Sequence, residues 1–490
     1  MKSTVSLLVG GVLLSLILSG CSHRDEIIRL SGEATDAERR GQHELAIGKW
    51  NAVLKLDAHN RQALLSRAAL YESVGKWPDA AADYTAYLRL PTNNPDARPR
   101  FTIFRRRYDP MEDYPAEPAW VHSRRAWTYA KKGDFEKAIA DGNAAIQLAP
   151  READYHVLLA HVYEMKGDPD GALAAFTKAV QAGPKQAAGY MHRGGFYARR
   201  GQFAEAITNL DEALRLEPHN SRALMQRAIA FLRHGEFDKA LDDLDDAIST
   251  TPEDPELYAI RGTTLLQKDK YQEAFNDFNH CLLLRPNDPL ALARRGRALL
   301  KKGNIELALE DINHALQLNP GEAYFYSWRG GTLAATNRFD EALKDLNHAI
   351  ELNGREQEFY STRGYVYNKK GDYGKAIKDY QRAMELNPGS PEAFNNLAWL
   401  RATCPEDSFR DGKEALNLAT RACELTSFKF QNLVDTLAAS YAEVGDFDQA
   451  IKYEKQSFIL VTSTNKNYAK MQERLALYEE HKPFRQKPNE

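Results

Sequence analysis

Residues 357–390 read QEFYSTRGYVYNKKGDYGKAIKDYQRAMELNPGS, and much of the chain is built on the same pattern. Two segments with apolar residues at helical spacing flank a turn at Gly371-Asp372, and Pro388 closes the unit. A single helix pair of this kind leaves one apolar face uncovered, and only a neighbouring pair can cover it. This unit therefore predicts that the sequence repeats.

The pattern does recur, every 34 residues from Ala119 to Ser390. With Gln357 counted as position 1, positions 8 and 20 carry glycine or alanine, and position 32 is usually proline. Small residues at positions 8 and 20 let two helices approach closely, while bulky residues at positions 11 and 24 fill the space beside them. Position 8 is occupied by Ala126, Ala160, Gly194, Ala228, Gly262, Gly296, Gly330 and Gly364. Eight units without slippage predict helix pairs in tandem.

These positions resemble the tetratricopeptide repeat family, whose signature is W-x2-L-G-x2-Y, followed by A-x3-F and by P. The resemblance implies an all-α fold, namely a right-handed superhelical solenoid of about twelve antiparallel helix pairs. It also implies that other proteins or peptides bind in a concave groove. One departure recurs, because position 7 carries arginine where the family has leucine.

The repeat divides the chain more finely than its length, which alone would suggest about three domains. Residues 27–94 fit repeats 1 and 2, residues 119–390 fit repeats 3 to 10, residues 391–430 fit an eleventh repeat with a longer turn, and residues 431–464 fit a twelfth. Residues 465–490 are interpreted as a capping helix with a frayed tail, because a solenoid must cover its last apolar face.

Residues 1–20 have the features of an export signal, since Lys2 precedes an apolar core between Val5 and Leu18. That core is shorter than the ~20 residues that span a membrane comfortably. An ordinary signal peptide or an uncleaved anchor is the alternative interpretation. We expect everything after the signal to lie in water.

The end of the signal, LSGC at residues 18–21, resembles the lipobox of bacterial lipoproteins. The resemblance implies cleavage before Cys21, lipid attached to that cysteine, and a short tether at residues 21–26. By analogy with Gram-negative lipoproteins, Ser22 in place of aspartate favours the outer membrane, with the protein facing the periplasm. Several acyl chains would anchor the protein firmly.

Residues 95–118 interrupt the repeats with prolines and no helical pattern. Five arginines are mixed there with Phe101, Phe104 and Tyr108, and arginine both pairs with and stacks on ligands. Binding of phosphate groups or an acidic partner is one interpretation. The favoured one is a loop packed across the flank of repeats 2 and 3, with its arginines solvated or paired to nearby acids.

The arginine at position 7 is accompanied by aspartate or asparagine at position 23 of the same repeat. Positions 7 and 23 lie at about the same height in an antiparallel pair that turns near position 15. We therefore predict one partly buried ion pair per helix pair, including Arg329 with Asp345 and Arg363 with Asp379. Repeat 1 reverses the charges and repeat 4 has neither, which supports the pairing. An arginine track for a ligand is the alternative.

In the family, the first helix of each pair lines the groove, with positions 2, 5, 9, 12 and 13 exposed. The resemblance carries groove contacts onto Trp120, Ser123, Trp127, Lys131, Asp154, His161, Arg222, Arg233, Arg297, Lys301, Tyr324, Ser327, Tyr365, Asn368 and Lys369. Aromatic and arginine side chains are the usual anchors of protein interfaces. The set is mixed in charge, so no single ligand charge is indicated. For each residue, ordinary exposed surface is the alternative.

Composition and motifs argue against other function classes. The 490 residues carry a net charge of −3, which gives no reason to expect nucleic acid as a partner. Phosphate-binding, zinc-protease and C-x-x-C motifs are absent from the sequence, so no catalytic residue, cofactor or metal is predicted. His280, His314 and His348 recur one repeat apart, but neighbouring helices are roughly 10 Å apart, too far to share a metal.

Cys404 and Cys423 share repeat 11, and whether they form a disulfide is open. Cys423 lies eight residues beyond Ala415, or ~12 Å along the second helix, whereas a disulfide needs Cα atoms within ~7 Å. The spacing argues against the bond unless the long turn folds back. Cys281 is predicted to be an inert, buried thiol.

The sequence favours a membrane-anchored binding scaffold that holds other proteins in the bacterial envelope, for assembly, secretion or cell-wall machinery. A hydrolase acting on cell-wall material is one alternative, and it would need a clustered acid–base pair that the sequence does not reveal. A self-assembling structural protein is the other, and the oligomeric state is open.

Overall fold

The computed structural model describes residues 23–91, 118–461 and 468–486, and within these ranges the regular structure is entirely helical. Twelve consecutive helix pairs and one further helix follow each other along the described chain, as the all-α prediction requires. The helices form two compact units that divide between Thr250 and Thr251. Odd-numbered helices up to α23 are the first helices of their pairs, and even-numbered helices are the second.

The first unit contains six pairs. Its helices are α1 (residues 23–39), α2 (His43–Leu56), α3 (Arg61–Ser73), α4 (Trp77–Leu88), α5 (Pro118–Lys132), α6 (Phe135–Leu148), α7 (Ala153–Lys166), α8 (Pro169–Ala182), α9 (Ala187–Arg199), α10 (Phe203–Leu216), α11 (Ser221–His234) and α12 (Phe237–Thr250). Helices α4 and α5 contact each other, so repeats 2 and 3 stack although residues 95–117 separate them.

The second unit contains six pairs and the last helix. Its helices are α13 (Pro255–Gln267), α14 (Tyr271–Leu284), α15 (Pro289–Lys301), α16 (Ile305–Leu318), α17 (Ala323–Ala334), α18 (Phe339–Leu352), α19 (Gln357–Lys370), α20 (Tyr373–Leu386), α21 (Pro391–Thr403), α22 (Gly412–Leu425), α23 (Gln431–Glu443), α24 (Phe447–Ile459) and α25 (Tyr468–Glu479). A short 3₁₀ turn, Asp407–Phe409, lies in the long connection between α21 and α22.

Helix α15 shows how local sequence sets the ends of a helix. The Asp288 carboxylate accepts hydrogen bonds from the backbone N–H groups of Leu290 and Ala291, both at 3.0 Å, and Pro289 occupies the first turn. These are the residue types that stabilise a helix start. Gly303 follows the helix with φ +86°, a conformation that glycine adopts without strain. The chain can therefore reverse into α16.

Small residues bring the two helices of a pair together. A Cβ atom on Gly330 of α17 would lie 2.9 Å from Cγ of Leu346 and 3.2 Å from the carbonyl oxygen of Ala342, both on α18. Large apolar side chains at position 24 fill the remaining space, and Phe278 and Tyr380 are fully buried there. The contact between paired helices therefore depends on alternation of small and large residues, as the sequence predicts.

First helices also pack on one another inside each unit. The contacts join α5 with α7, α7 with α9 and α9 with α11 in the first unit, and α13, α15, α17, α19, α21 and α23 in series in the second. One side of each unit is therefore built from first helices.

The long connection in repeat 11 is fixed by Arg410. Its guanidinium donates to the carbonyl oxygen of Cys404 at 2.7 Å and to a carboxylate oxygen of Glu443 at 3.2 Å. Because Glu443 belongs to α23, the connection is held against the neighbouring repeat.

The three described cysteines, Cys281, Cys404 and Cys423, are free and buried. Cys404 and Cys423 belong to the same hydrophobic cluster without forming a bond to each other. Burial raises the pKa of the Cys281 thiol to about 11 and that of Cys423 to about 12, so both thiols stay protonated at neutral pH.

Several predictions fall outside the described residues. The export signal with Cys21, and residues 95–117 of the predicted loop, belong to this group. Among the described helices, none has the length and hydrophobicity that a membrane crossing requires. The prediction of a frayed tail is wrong for residues 482–486, because they contact helices α21 and α23.

Candidate functional site

The exposed side chains of the first helices form the candidate site. We call the side chains at positions 2, 9, 12 and 13 of the odd-numbered helices the first-helix face, and treat it separately in each unit. Thirteen residues predicted as groove contacts lie there and are partly or fully exposed: Trp120, Trp127, Lys131, Asp154, His161, Arg222, Arg233, Arg297, Lys301, Tyr324, Tyr365, Asn368 and Lys369.

Position 5 does not belong to this face at Ser123 and Ser327. Ser123 and Ser327, which the family pattern predicts to be exposed, are only 8% and 2% exposed. The Ser123 hydroxyl turns to the main chain and donates to the carbonyl oxygen of Trp120 at 2.7 Å. The closely packed first helices cover both side chains, so these two predictions are wrong.

On α5, aromatic side chains contribute to the face in two ways. Trp127 carries the ammonium group of Lys131 over its ring, 4.5 Å from the ring centroid. Trp120 is half-buried and packs against the core of repeat 2, beside Leu64 and Tyr84. Trp127 is therefore the available aromatic surface, while Trp120 also joins repeats 2 and 3.

A polar cluster links α7 and α9. His161 Nδ1 lies 2.8 Å from a carboxylate oxygen of Glu164, and its Nε2 lies 3.3 Å from Nδ1 of His192. Arg199 donates to the other oxygen of Glu164 at 2.7 Å. Burial, followed by nearby positive charge, lowers the pKa of His192 to about 3, so this imidazole is neutral at pH 7.

His192 occupies position 6 of its repeat, which the family pattern does not count as exposed, so sequence reasoning missed it. The available signal was a polar residue at position 6 beside a histidine at position 9 of the preceding repeat. Within the described ranges, no group of three or more His, Cys, Asp and Glu residues is placed to hold a metal ion.

In the second unit, charged and aromatic residues meet across successive first helices. The guanidinium of Arg297 on α15 lies over the ring of Trp328 on α17, 4.8 Å from its centroid. The Tyr324 hydroxyl on α17 donates to Glu356, just before α19, at 2.8 Å. Burial and this hydrogen bond raise the pKa of Tyr324, so its hydroxyl remains a donor at neutral pH.

Helix α19 continues the face with Tyr365, which is 45% exposed. The ammonium group of Lys369 lies 5.6 Å from the centre of its ring. Partly exposed aromatic rings beside cationic groups can hold an extended peptide through both apolar and charged contacts.

The position-7 arginines form contacts that stabilise the fold. Nε and Nη2 of Arg329 donate to the two carboxylate oxygens of Asp345 at 2.7 and 2.8 Å, and Arg363 contacts Asp379 at the same two distances. The aspartates are buried, at 7% and 6% exposed. Such two-point contact gives geometric specificity as well as energy.

Six of the position-7 arginines make a further contact that sequence reasoning missed. Nη1 of Arg329 donates to the amide oxygen of Asn313, in the preceding repeat, at 2.8 Å. The signal was present, because position 25 repeatedly carries a side-chain oxygen. The position-25 acceptors of these arginines are Asn51, Thr85, Asp211, Asn279, Asn313 and Asn347. Position 7 therefore joins its own helix pair to the previous one.

The two exceptional repeats also follow the pairing rule. In repeat 1, Lys49 contacts Glu33 at 2.5 Å with the charges reversed. In repeat 4, Leu159 and Ala175 occupy these positions and are both buried. No charged group is left without its opposite at either place.

Tandem helix pairs that share a face of first helices define an α-helical repeat protein. A family model described as tetratricopeptide repeat matches residues 32–95, 123–187, 197–255, 225–288, 261–323 and 293–356, and one described as TPR repeat matches residues 364–400. These matches span more than half of the sequence, and the chain belongs to the tetratricopeptide repeat family.

Solved structures of similar fold include three repeat proteins. A tetratricopeptide repeat protein from Parabacteroides merdae is 21% identical, with a TM-score of 0.44 over 48% of this chain and 93% of its own. Yeast Tom70 is 18% identical, with a TM-score of 0.44 over 93% and 96%. Cut9, crystallised as the APC/C hetero-tetramer Cut9-Hcn1, is 15% identical, with a TM-score of 0.47 over 92% and 96%. No curated protein matches this chain.

Proposed function

We propose that this protein is a scaffold that binds other proteins or peptides through the first-helix face and is anchored by lipid on Cys21. In this proposal it lies in the bacterial envelope, at the outer membrane and facing the periplasm, where it serves assembly, secretion or cell-wall machinery. Membership of the tetratricopeptide repeat family supports the protein-binding part. The lipobox-like LSGC sequence supports the anchor.

One observation carries the binding role. The first-helix face keeps aromatic and cationic side chains exposed on successive helices, while the position-7 arginines are bonded inside the protein. Tyr365 is 45% exposed beside Lys369, although a folded core favours covering such a ring. Side chains of this kind anchor protein interfaces.

The buried carboxylate pair of the last repeat does not provide the acid–base pair that a hydrolase needs. Asp435 and Glu454 are a buried carboxylate pair, and both contact Arg474 of α25 inside the last repeat. A general acid–base pair must reach its substrate, and Glu454 is fully buried.

The binding face is tested by reversing charge at Arg297 and Lys301 together. We expect at least a tenfold loss of partner protein captured from membrane extracts, because both side chains belong to the proposed face. The matched control reverses Lys344 and Lys378, which are exposed on second helices, and should leave capture unchanged. Equal capture by both variants would contradict the face. Capture of self-copies alone would indicate self-assembly, and turnover of cell-wall material would indicate a hydrolase.

The anchor is tested by Cys21→Ser in a Gram-negative host supplied with radiolabelled palmitate. We expect the label and membrane retention to be lost, because the serine hydroxyl does not form the thioether. Cys281→Ser is the control and should keep the label, since this thiol is buried. A labelled Cys21→Ser variant would overturn the anchor without affecting the binding role.

A further inference from the structure

The chain turns back after α25 and lies on the first-helix face of its own unit. We call residues 482–486 the C-terminal segment. Its Gln486 N–H donates to the carbonyl oxygen of Thr403 at 2.8 Å, and the Phe484 ring packs beside Trp399 with centroids 5.9 Å apart. Trp399 and Thr403 are positions 9 and 13 of repeat 11, which belong to the face.

Arg485 attaches the segment through its guanidinium group. Nη1 of Arg485 lies 2.6 Å from a carboxylate oxygen of Glu443, at position 13 of repeat 12, and 3.5 Å from the carbonyl oxygen of Ala402. Ala402 and Thr403 end helix α21, so their carbonyls lack partners within the helix. A cation and an N–H donor are the groups that such a helix end attracts.

The segment therefore binds as an extended peptide would. It has no helix or strand of its own, and it uses one aromatic anchor, one arginine and one main-chain hydrogen bond. Its last four described residues are only half-buried. The contact is shallow compared with the core.

Helix α25 also has contacts that do not involve the segment. Arg474 of this helix donates to Asp435 of α23 at 2.8 Å, and both Met471 and Tyr478 are fully buried. The guanidinium of Arg474 also lies 5.7 Å from the Phe484 ring. The capping helix therefore keeps its main contacts if the segment leaves.

Departure of the segment also leaves no buried carboxylate without a cationic partner. Glu443 accepts a hydrogen bond from Arg410 at 3.2 Å and forms an ion pair with Arg485, so it keeps Arg410 when the segment leaves. A buried carboxylate without any partner would make release costly, and this arrangement avoids that cost.

We propose that the C-terminal segment occupies a peptide-binding site on repeats 11 and 12, and that a partner peptide with an aromatic residue followed by arginine displaces it. This inference rests on the proposed function and deepens it, because it names the chemistry that one part of the face accepts. In the intact chain the C-terminal segment then occupies this site. A partner binds there only after the segment has left.

The test is a titration with the capped peptide HKPFRQ, which copies residues 481–486. A chain ending at Lys482 is expected to bind this peptide. The intact chain is expected to bind it at least tenfold more weakly, because a tethered segment competes at an effective concentration on the order of millimolar. The peptide HKPAEQ, which lacks both anchors, should bind neither chain.

Two face variants of the shortened chain provide a matched comparison. Trp399→Ala should abolish peptide binding, whereas Trp127→Ala, at the same position 9 of repeat 3, should leave it unchanged. If the shortened chain does not fold, Phe484→Ala with Arg485→Glu in the full chain replaces it, with the same expectations.

Three results would overturn the inference: equal affinity of the two chains for HKPFRQ, no binding to the shortened but folded chain, or equal loss in both tryptophan variants. Partner proteins captured equally by intact and shortened chains, without peptide binding, would leave the scaffold standing and remove this inference. Peptide binding without any captured partner would leave the peptide-binding site on repeats 11 and 12 standing and remove the scaffold.

Discussion

Gly330 and Gly331 are adjacent on helix α17, yet packing requires only one of them to be glycine. A Cβ atom on Gly330 would lie 2.9 Å from Leu346, whereas one on Gly331 would lie 3.8 Å from Thr362, an ordinary contact. Gly330→Ala should lower the free energy of unfolding by about 1–3 kcal/mol. Gly331→Ala should leave it unchanged or raise it by up to ~1 kcal/mol, because alanine favours a helix. Urea unfolding of both variants checks this, and equal effects would contradict it.

The pair Arg329–Asp345 makes a second prediction at the scale of residues. Asp345→Ala should lower the free energy of unfolding by roughly 2–3 kcal/mol, because it leaves a mostly buried guanidinium with fewer acceptors. Adding Arg329→Ala should then cost much less than Arg329→Ala alone, since the two side chains act as a unit. Glu351→Ala, which removes an exposed pair with His348, is the control and should change little. Additive effects of the two substitutions would show that the contact contributes no stability.

At the scale of elements, the last repeat differs from the others where it meets the capping helix. Most repeats bury an apolar residue at position 24, but repeat 12 has Glu454, which is fully buried 3.6 Å from Arg474 of α25. Burial, followed by the charge of Asp435, raises the pKa of Glu454 to about 10. This carboxyl group is therefore protonated at neutral pH in the folded protein.

The raised pKa predicts how the stability of the capping element depends on pH. The native state holds a proton on Glu454 that the unfolded chain releases near its ordinary value of 4.5. The stabilisation is complete below that value and is lost as pH rises toward about 10, by up to ~1.4 kcal/mol per pH unit. The free energy of unfolding of the Glu454→Gln variant, measured between pH 6 and pH 9, should fall less steeply with rising pH than that of the unchanged protein. Glu479→Gln, on the exposed side of α25, is the control, and identical slopes in all three proteins would refute the assignment.

At the scale of the molecule, each repeat contacts chiefly its neighbours, so one complete repeat should be removable. Deletion of residues 289–322, repeat 8, joins Asp288 to Ala323 in register. Arg329 then replaces Arg295 as the donor to Asn279, whose present contact is 2.8 Å. We expect a helical protein that unfolds cooperatively, measured by circular dichroism. Deletion of residues 289–304 alone, which leaves α16 without its first helix, should lose cooperativity. The same behaviour from both deletions would contradict a modular fold.

Features that depend on positions within one 34-residue unit could be predicted from the sequence. The helix pairs follow from the apolar spacing, the close approach at Gly330 follows from its small size, and Arg329 meets Asp345 because positions 7 and 23 face each other in any such pair. These relations are local, since a short turn fixes them before any other repeat is added.

Features that depend on how repeats stack required the tertiary structure. Asn313 accepts from an arginine of the next repeat, Ser123 is covered although its position predicts exposure, and the C-terminal segment lies on α21 and α23 instead of fraying. The 34-residue period does not specify how one repeat is placed on the next. It also does not predict where a segment outside the repeats lies. Stacking alone decides which side chains two repeats share, and therefore which part of the first-helix face is already occupied.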